Sequence, residues 1–405
     1  MMGKKPRILA IVEACPCAEA QGARIRAKGV LDLLARIGDL SLILTSRWTH
    51  DQSALDRTRA RYNLQGAYTL EYRPVGWKDR LSHDFNPRHL NTHNAGLSET
   101  SKGHIFSEIK RADLVWFHTV IPANALGITS LKKAILDVDD VSSRVHLSAA
   151  ARRTGLARLA ARRRAKIWCR REQTYPQRFG TLVVCSEDDQ TYLGGDDVFV
   201  LPNGFDQEAS LWGRSGAKEP LIGFVGNLTY QPNREGLQWF LSHVWHKIKA
   251  SHPNCRMRVV GRGGEAIDWS AYRDVTYLSW IEELTPEMQS WALTIVPIWE
   301  GGGTRIKIAT AFSMNCPVVS TGVGAFGYHL THRRELLIAN TEEDFAASCS
   351  ELLTNRSLAV EIADRAYALF ESSLTWASMQ PKMEAIVESA LETSRSEVSS
   401  TYSGR

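Results

Sequence analysis

Residues 22–46, GARIRAKGVLDLLARIGDLSLILTS, decide the fold class. Val30, Leu31, Leu33, Leu34 and Ile37 recur at helical spacing, Gly38 closes the helix, and Leu40 to Leu44 has the length and composition of a buried strand. Just upstream, Ile8 to Val12 is another short apolar run. Strand, helix and strand in that order are the βαβ opening of a parallel sheet. Lys4, Lys5 and Arg7 before ILAIV imitate a secretory leader, but Glu13 interrupts the apolar run, and a buried first strand explains it better. Gly22, Arg24 and Arg26 fall where the first loop meets the first helix, the crevice position of a doubly wound sheet. They suit an anionic ligand, or they are solvated arginines at a helix start. The GxGxxG spacing of dinucleotide binders is missing here, which counts against a nicotinamide or flavin enzyme.

Moving outward, residues 50–110 read as polar and irregular, and the alternation then resumes. Asp113 to Phe117 is a strand that ends in His118, and Ala134 to Val138 runs into Asp139 and Asp140. Side chains just past the carboxyl ends of parallel strands line the crevice, so His118 is a candidate site residue, its alternative being a structural histidine. Thr181 to Cys185 is followed by VFVLPNGFD, residues 198–206, whose Pro-Asn-Gly turn closes a first domain spanning residues 1–206. The polar stretch 207–219 reads as a linker. A second α/β domain, residues 220–372, restarts with Leu221 to Val225, then GNLTYQPNREG and the apolar-periodic Leu237 to Ile248. Further strands are expected at Arg256 to Val260, Val275 to Leu278, Thr294 to Pro297 and Pro317 to Ser320. A C-terminal helix over residues 373–392 is expected to pack back on the first domain, and the Ser/Thr-rich residues 393–405 to be disordered.

Two domains agree with the 405-residue length, and 43% hydrophobic with 23% charged residues is an ordinary globular composition. No apolar run reaches the length needed to span a bilayer. The seven cysteines form no CxxC pair and no zinc-spaced cluster, so reduced thiols and no metal site are expected. Between residues 151 and 171, ARRTGLARLAARRRAKIWCRR holds nine basic residues and no acid. Leu156, Leu159, Ile167 and Trp168 give it an apolar stripe, so residues 152–171 read as a basic amphipathic helix. Such a helix suits an anionic membrane surface or is a solvated face. Nucleic acid is not expected, because no recognition motif or aromatic platform accompanies the charge.

The chemistry concentrates in residues 297–321, PIWEGGGTRIKIATAFSMNCPVVST. Glycines let the backbone approach an anion, the helix start after Thr304 offers free N–H groups, and Arg305 and Lys307 sit within one turn. This suits a nucleotide-sugar diphosphate, the alternative being a glycine-rich surface turn. Asn315 stands at the helix end, where a left-handed residue is usual.

With these motifs in order, VLPNGFD, FVGNLTYQPN, and GGGTRIK followed by PVVST, the chain resembles the family 4 retaining glycosyltransferases over nearly its full length. The resemblance implies an α/β protein with two Rossmann-like domains facing across a cleft, the GT-B fold. It further implies a metal-independent transferase that uses a nucleotide diphosphate sugar donor and no cofactor. The acceptor would be a glycan or a lipid-linked molecule; the reduced cysteines suit a cytoplasmic setting, and the basic helix favours an acceptor at the inner face of the membrane. Carried over by position, Gly302, Gly303, Thr304, Arg305 and Lys307 would meet the diphosphate and sugar, with Glu300, Gly301 and Asn227 beside them. Gly22 and Arg24 would bring the first loop to the donor. His118 would contact the donor sugar and stabilise an oxocarbenium-like transition state. The chain departs from the family at Thr310, where a ribose-binding carboxylate is usual, and at Asn227, where many members have Arg and Lys nearby. These departures motivate a second reading, a catalytically weakened partner protein that binds a sugar nucleotide or glycan. A sugar-nucleotide epimerase shares the architecture and is a third.

Overall fold

In the computed structural model, which describes residues 5–18, 22–47, 51–72, 76–78, 82, 85–86, 95–206, 220–265, 267–281, 283–300 and 304–402, the apolar runs become parallel strands. Contacts divide the chain into one unit of Met1–Asn203 with Met379–Arg405 and a second of Gly204–Ser378. The expected linker, 207–219, lies outside the described residues.

The first unit contains β1 (Arg7–Val12), α1 (Gly22–Ile37), β2 (Asp39–Ser46), α2 (Gln52–Arg61) and β3 (Asn63–Thr69). A two-residue pair follows, β4 (Glu71–Tyr72) with β5 (Ala95–Gly96), then α3 (Glu99–Arg111), β6 (Leu114–His118), α4 (Val120–Ala125) and β7 (Leu131–Asp137). Next come α5 (Ser142–Arg152), α6 (Gly155–Glu172), α7 (Tyr175–Arg178), β8 (Phe179–Val184), α8 (Glu187–Leu193) and β9 (Val198–Val200). The sheet order is β3-β2-β1-β6-β7-β8-β9, parallel throughout. Every residue of β6 is buried, as expected of a central parallel strand covered on both faces.

The second unit contains β10 (Leu221–Val225), α9 (Gln231–Trp239), a π-helical turn at Phe240–Val244, α10 (Trp245–Ser251), β11 (Arg256–Val260) and β12 (Val275–Leu278). After these come α11 (Leu284–Gln289), β13 (Leu293–Val296), α12 (Ile306–Ser313), β14 (Val318–Ser320), β15 (Leu337–Ile338), α13 (Glu342–Thr354) and α14 (Arg356–Ser373). Its order, β12-β11-β10-β13-β14-β15, is again parallel. Each unit thus reverses strand order next to its first strand, between β1 and β6 and between β10 and β13. Those switch points are where doubly wound sheets bind ligands.

Four expectations change. The described residues of 50–110 are not irregular: they include α2, the edge strand β3, the β4–β5 pair and most of α3, with short polar side chains capping both helices. Asp51 accepts from the Ala54 amide at 3.1 Å and Ser98 from the Ser101 amide at 3.2 Å. The basic helix begins at Gly155, not before it: the chain breaks at Arg153–Thr154, and Gly155 takes φ 55. Leu237 to Ile248 is interrupted by the π-helical turn. The last helix, α15 (Gln380–Tyr402), starts later than residue 373 and continues past residue 393, where disorder was expected. No Gly or Pro interrupts residues 383–402, and Met383, Ile386, Val387 and Ala390 bury one face in the first unit. No helix among the described residues is long and apolar enough to cross a membrane.

Candidate functional site

At the second unit's switch point the loops after β10 and β11 are laced together. The Gly226 amide donates to the Val260 carbonyl at 2.9 Å and the Leu228 amide to the Arg262 carbonyl at 2.7 Å. Gly261 adopts φ 143, and a Cβ there would collide with the Gly226 carbonyl, so this crossing requires glycine.

Lys307, in the first turn of α12, reaches onto this crossing. Its Nζ donates to Asn233 Oδ1 at 2.7 Å and lies 4.6 Å from the Phe224 ring centroid. A Cβ on Gly226 would come within 2.9 Å of that ammonium. Asn233, itself buried, donates from Nδ2 to the Asn227 carbonyl at 2.8 Å, so its amide orients the lysine while holding the loop. Burial, and then the charge of Arg305, pull the Lys307 pKa down to about 7. No carboxylate among the described residues pairs with it. A cation placed this way suits an incoming anion.

Arg305 occupies the N-cap position of α12, whose N-terminus has no side-chain cap, and its carbonyl accepts from the Tyr328 hydroxyl at 3.2 Å. Thr304 and Glu300 are buried on either side of Gly301, Gly302 and Gly303, which lie outside the described residues. Trp299 is held edge-on to Trp239 at 4.7 Å, which anchors the approach to Glu300. Asn227 is exposed, and its Oδ1 accepts from the Thr229 amide and hydroxyl at 2.9 and 2.8 Å, a turn-forming role. Thr310 is buried and donates its hydroxyl to the Ile306 carbonyl at 3.0 Å, within its own helix. Asn315 takes the left-handed conformation at φ 53.

In the first unit, His118 ends β6 in register with Val12 of β1 and Asp137 of β7. It is 1% exposed, and neither ring nitrogen has a hydrogen-bond partner among the described residues. Leaving buried polar groups unpaired is costly and asks for an explanation. The next residue, Thr119, sits at φ 66, a conformation that costs a β-branched side chain of order 1–3 kcal/mol. An unpaired buried imidazole beside local backbone strain sets this strand end apart from its neighbours.

Gly22 opens α1 instead of lying in the loop before it, and Arg24 is partly buried in the helix's first turn. Arg26, read from sequence as an anion-site or solvated arginine, is neither. It is fully buried, with Nη2 and Nε on Asp137 at 2.6 and 3.0 Å and Nη1 on the Leu201 carbonyl and Asn203 Oδ1, both at 3.0 Å. Burial opposes its charge, but Asp137 outweighs that and leaves the guanidinium pKa above its usual value. The residues that sequence reasoning passed over are Asn233, Asn203 and Asp137, each present in a noted motif but with no pattern to name its partner. Among the described residues no group of three or more His, Cys, Asp or Glu is placed to hold a metal ion.

Residues 219–355, all within the second unit, match the family model described as "Glycosyl transferases group 1". A curated protein of Klebsiella pneumoniae, an uncharacterised 44.6 kDa protein in the cps region, is 29% identical over 161 residues, 37% of this chain and 41% of that protein. Sucrose-phosphate synthase from Thermosynechococcus elongatus is structurally similar at TM-score 0.66 and 12% identity, over 94% of this chain and 98% of that one. HepE of Anabaena, solved with UDP and glucose, gives 0.63 and 14%, over 95% and 99%. WaaG, a glycosyltransferase involved in lipopolysaccharide biosynthesis, gives 0.62 and 12%, over 94% and 99%. These likenesses, with two parallel Rossmann-like sheets in one chain, show the GT-B fold.

Proposed function

We propose that the chain is a retaining glycosyltransferase that moves a sugar from a nucleoside diphosphate sugar onto a glycan or lipid-linked acceptor, without a metal or cofactor. The observation that carries this reading is the Lys307 ammonium, part-buried over the β10 crossing with no acidic partner among the described residues, inside the segment that matches the group 1 family model. Lys307, Arg305 and the N-terminus of α12 neutralise the diphosphate as negative charge grows on it. Gly301, Gly302 and Gly303 give the backbone room beside it, with Thr304, Glu300 and Asn227 as neighbouring contacts. His118 faces the donor sugar and stabilises the positive charge that develops at its ring. The acceptor hydroxyl attacks from the face the diphosphate leaves, and the departing diphosphate takes its proton. The setting proposed is cytoplasmic, at the membrane face.

The stereochemical claim is tested by the anomeric proton signal of the transferred sugar: retention supports it, and inversion rejects the same-face mechanism.

Replacing His118 by Ala is expected to lower turnover by about a hundred-fold or more. Affinity for a nucleoside diphosphate lacking the sugar should not change. Equal loss of both in steady-state kinetics and titration would remove His118 from the sugar contact.

Donor affinity should also depend on pH. With a free-state Lys307 pKa of about 7, the ammonium that binds diphosphate is fully present below pH 6 and is lost as pH rises through 7. Affinity therefore falls towards about ten-fold per pH unit above 7, until the raised pKa of the complex is passed. Calorimetry in buffers of different ionisation enthalpy should show proton uptake on binding at pH 8; no uptake would assign the lysine elsewhere.

A second reading is favoured by Thr310, whose hydroxyl is committed to its own helix where a ribose carboxylate would be expected. In that reading the chain binds the donor but does not turn it over.

A further inference from the structure

The hairpin of α5 and α6 is built inside out. Its buried positions include Ala149, Ala150, Ala161 and Ala165, so small residues bring the two helices together. The leucines that would ordinarily fill a helix interface face outward instead: Leu147 is 46% exposed, Leu159 62% and Leu156 84%. This corrects the apolar stripe expected from the sequence, because Ile167 and Trp168 are partly buried while Leu156 and Leu159 are not. Leu156 and Leu159 are one turn apart at the start of α6, next to the open turn at Gly155. A single exposed leucine means little, but three on one hairpin leave an unusual amount of apolar side chain in water.

The exposed charge on the same hairpin has one sign, its one acid, Glu172, being buried at the end of α6. No acidic residue occurs from Ser142 to Arg171. Arg158, Arg162, Arg164, Lys166 and Arg170 are exposed and form no ion pair with a described residue. The Arg163 guanidinium carbon lies 3.7 Å from the Phe85 ring centroid. The crowding of like charge is felt at His146, which is pushed towards the neutral form by burial and then by Arg164 and Arg153.

We infer that the α5–α6 hairpin docks on an anionic phospholipid surface, with Leu147, Leu156 and Leu159 entering the acyl boundary and the exposed arginines of α6 on the lipid phosphates. Charge complementarity selects an anionic partner, and the leucines select a lipid over a nucleic acid, whose phosphate backbone offers them nothing to pack against. The inference does not depend on sugar transfer.

The test is co-sedimentation of the full chain with vesicles of phosphatidylcholine, alone or with phosphatidylglycerol. Binding should be at least about ten-fold tighter to the anionic vesicles. Leu156→Ser with Leu159→Ser should weaken it by about ten-fold, with an unchanged melting temperature because both side chains are exposed. Arg158→Gln with Arg162→Gln should weaken it by about twenty-five-fold, at about five-fold per charge, and added salt should abolish that difference. Equal binding to both vesicle types, or leucine variants that bind as wild type, would overturn the inference. So would tighter binding to a DNA duplex than to anionic vesicles.

Discussion

Substituting Arg305 and Lys307 together by Met is expected to lower nucleoside diphosphate affinity by about two to four orders of magnitude. Each charge-assisted contact to phosphate is worth about 1.5–3 kcal/mol, and both cations stand at the same helix start. The fold should survive. Lys307 has no acidic partner among the described residues, and its ammonium is penalised by burial against Phe224. That penalty acts in full below pH 7, shrinks as the folded-state lysine loses its proton above 7, and ends above 10.5, where the unfolded-state lysine is neutral too. A Met at 307 should therefore leave thermal stability at pH 6 equal or higher. Titration of wild type and variant gives the answer; unchanged affinity would dissolve the site as described, whereas lost stability would make Lys307 a structural residue.

The largest stability effect is expected at Arg26. Arg26→Leu leaves Asp137 charged and fully buried with its counterion gone, at a cost of about 3–5 kcal/mol. It also strips donors from the Leu201 carbonyl and Asn203, which tie the end of the first unit to α1. Arg26→Leu with Asp137→Leu should recover much of the loss, because the orphaned charge is removed as well. Denaturant unfolding of the single and double variants measures this. A single-variant loss under about 1 kcal/mol would mean that the pair holds nothing together.

Strand positions were legible where parallel strands buried on both faces write themselves as short apolar runs, as at Arg7–Val12 and Leu221–Val225; Arg256–Val260 and Val275–Leu278 also lie where the sequence puts them, although each leaves part of itself exposed. Residues 50–110 were opaque because α2 and α3 depend on single caps, Asp51 and Ser98, and bury few side chains. In the site, Arg305 and Lys307 announce themselves by glycines and spacing. Asn233 does not, since its role exists only once β10 and α12 meet. Arg26 shows the limit most clearly. An arginine at a helix start beside a first loop has the same local sequence whether it awaits an anion or is paired with Asp137, 111 residues away. The inverted hairpin was half legible: the charge run was plain, but which leucines face outward depends on where the alanines pack.

The most direct test of the central claim is to incubate the purified chain with a panel of nucleoside diphosphate sugars and measure release of the nucleoside diphosphate. One donor should raise the melting temperature and be consumed, slowly without acceptor, with consumption lost in Lys307→Met. If no donor is consumed and none shifts the melting temperature, the glycosyltransferase account is contradicted; a shift without consumption leaves only the donor-binding partner.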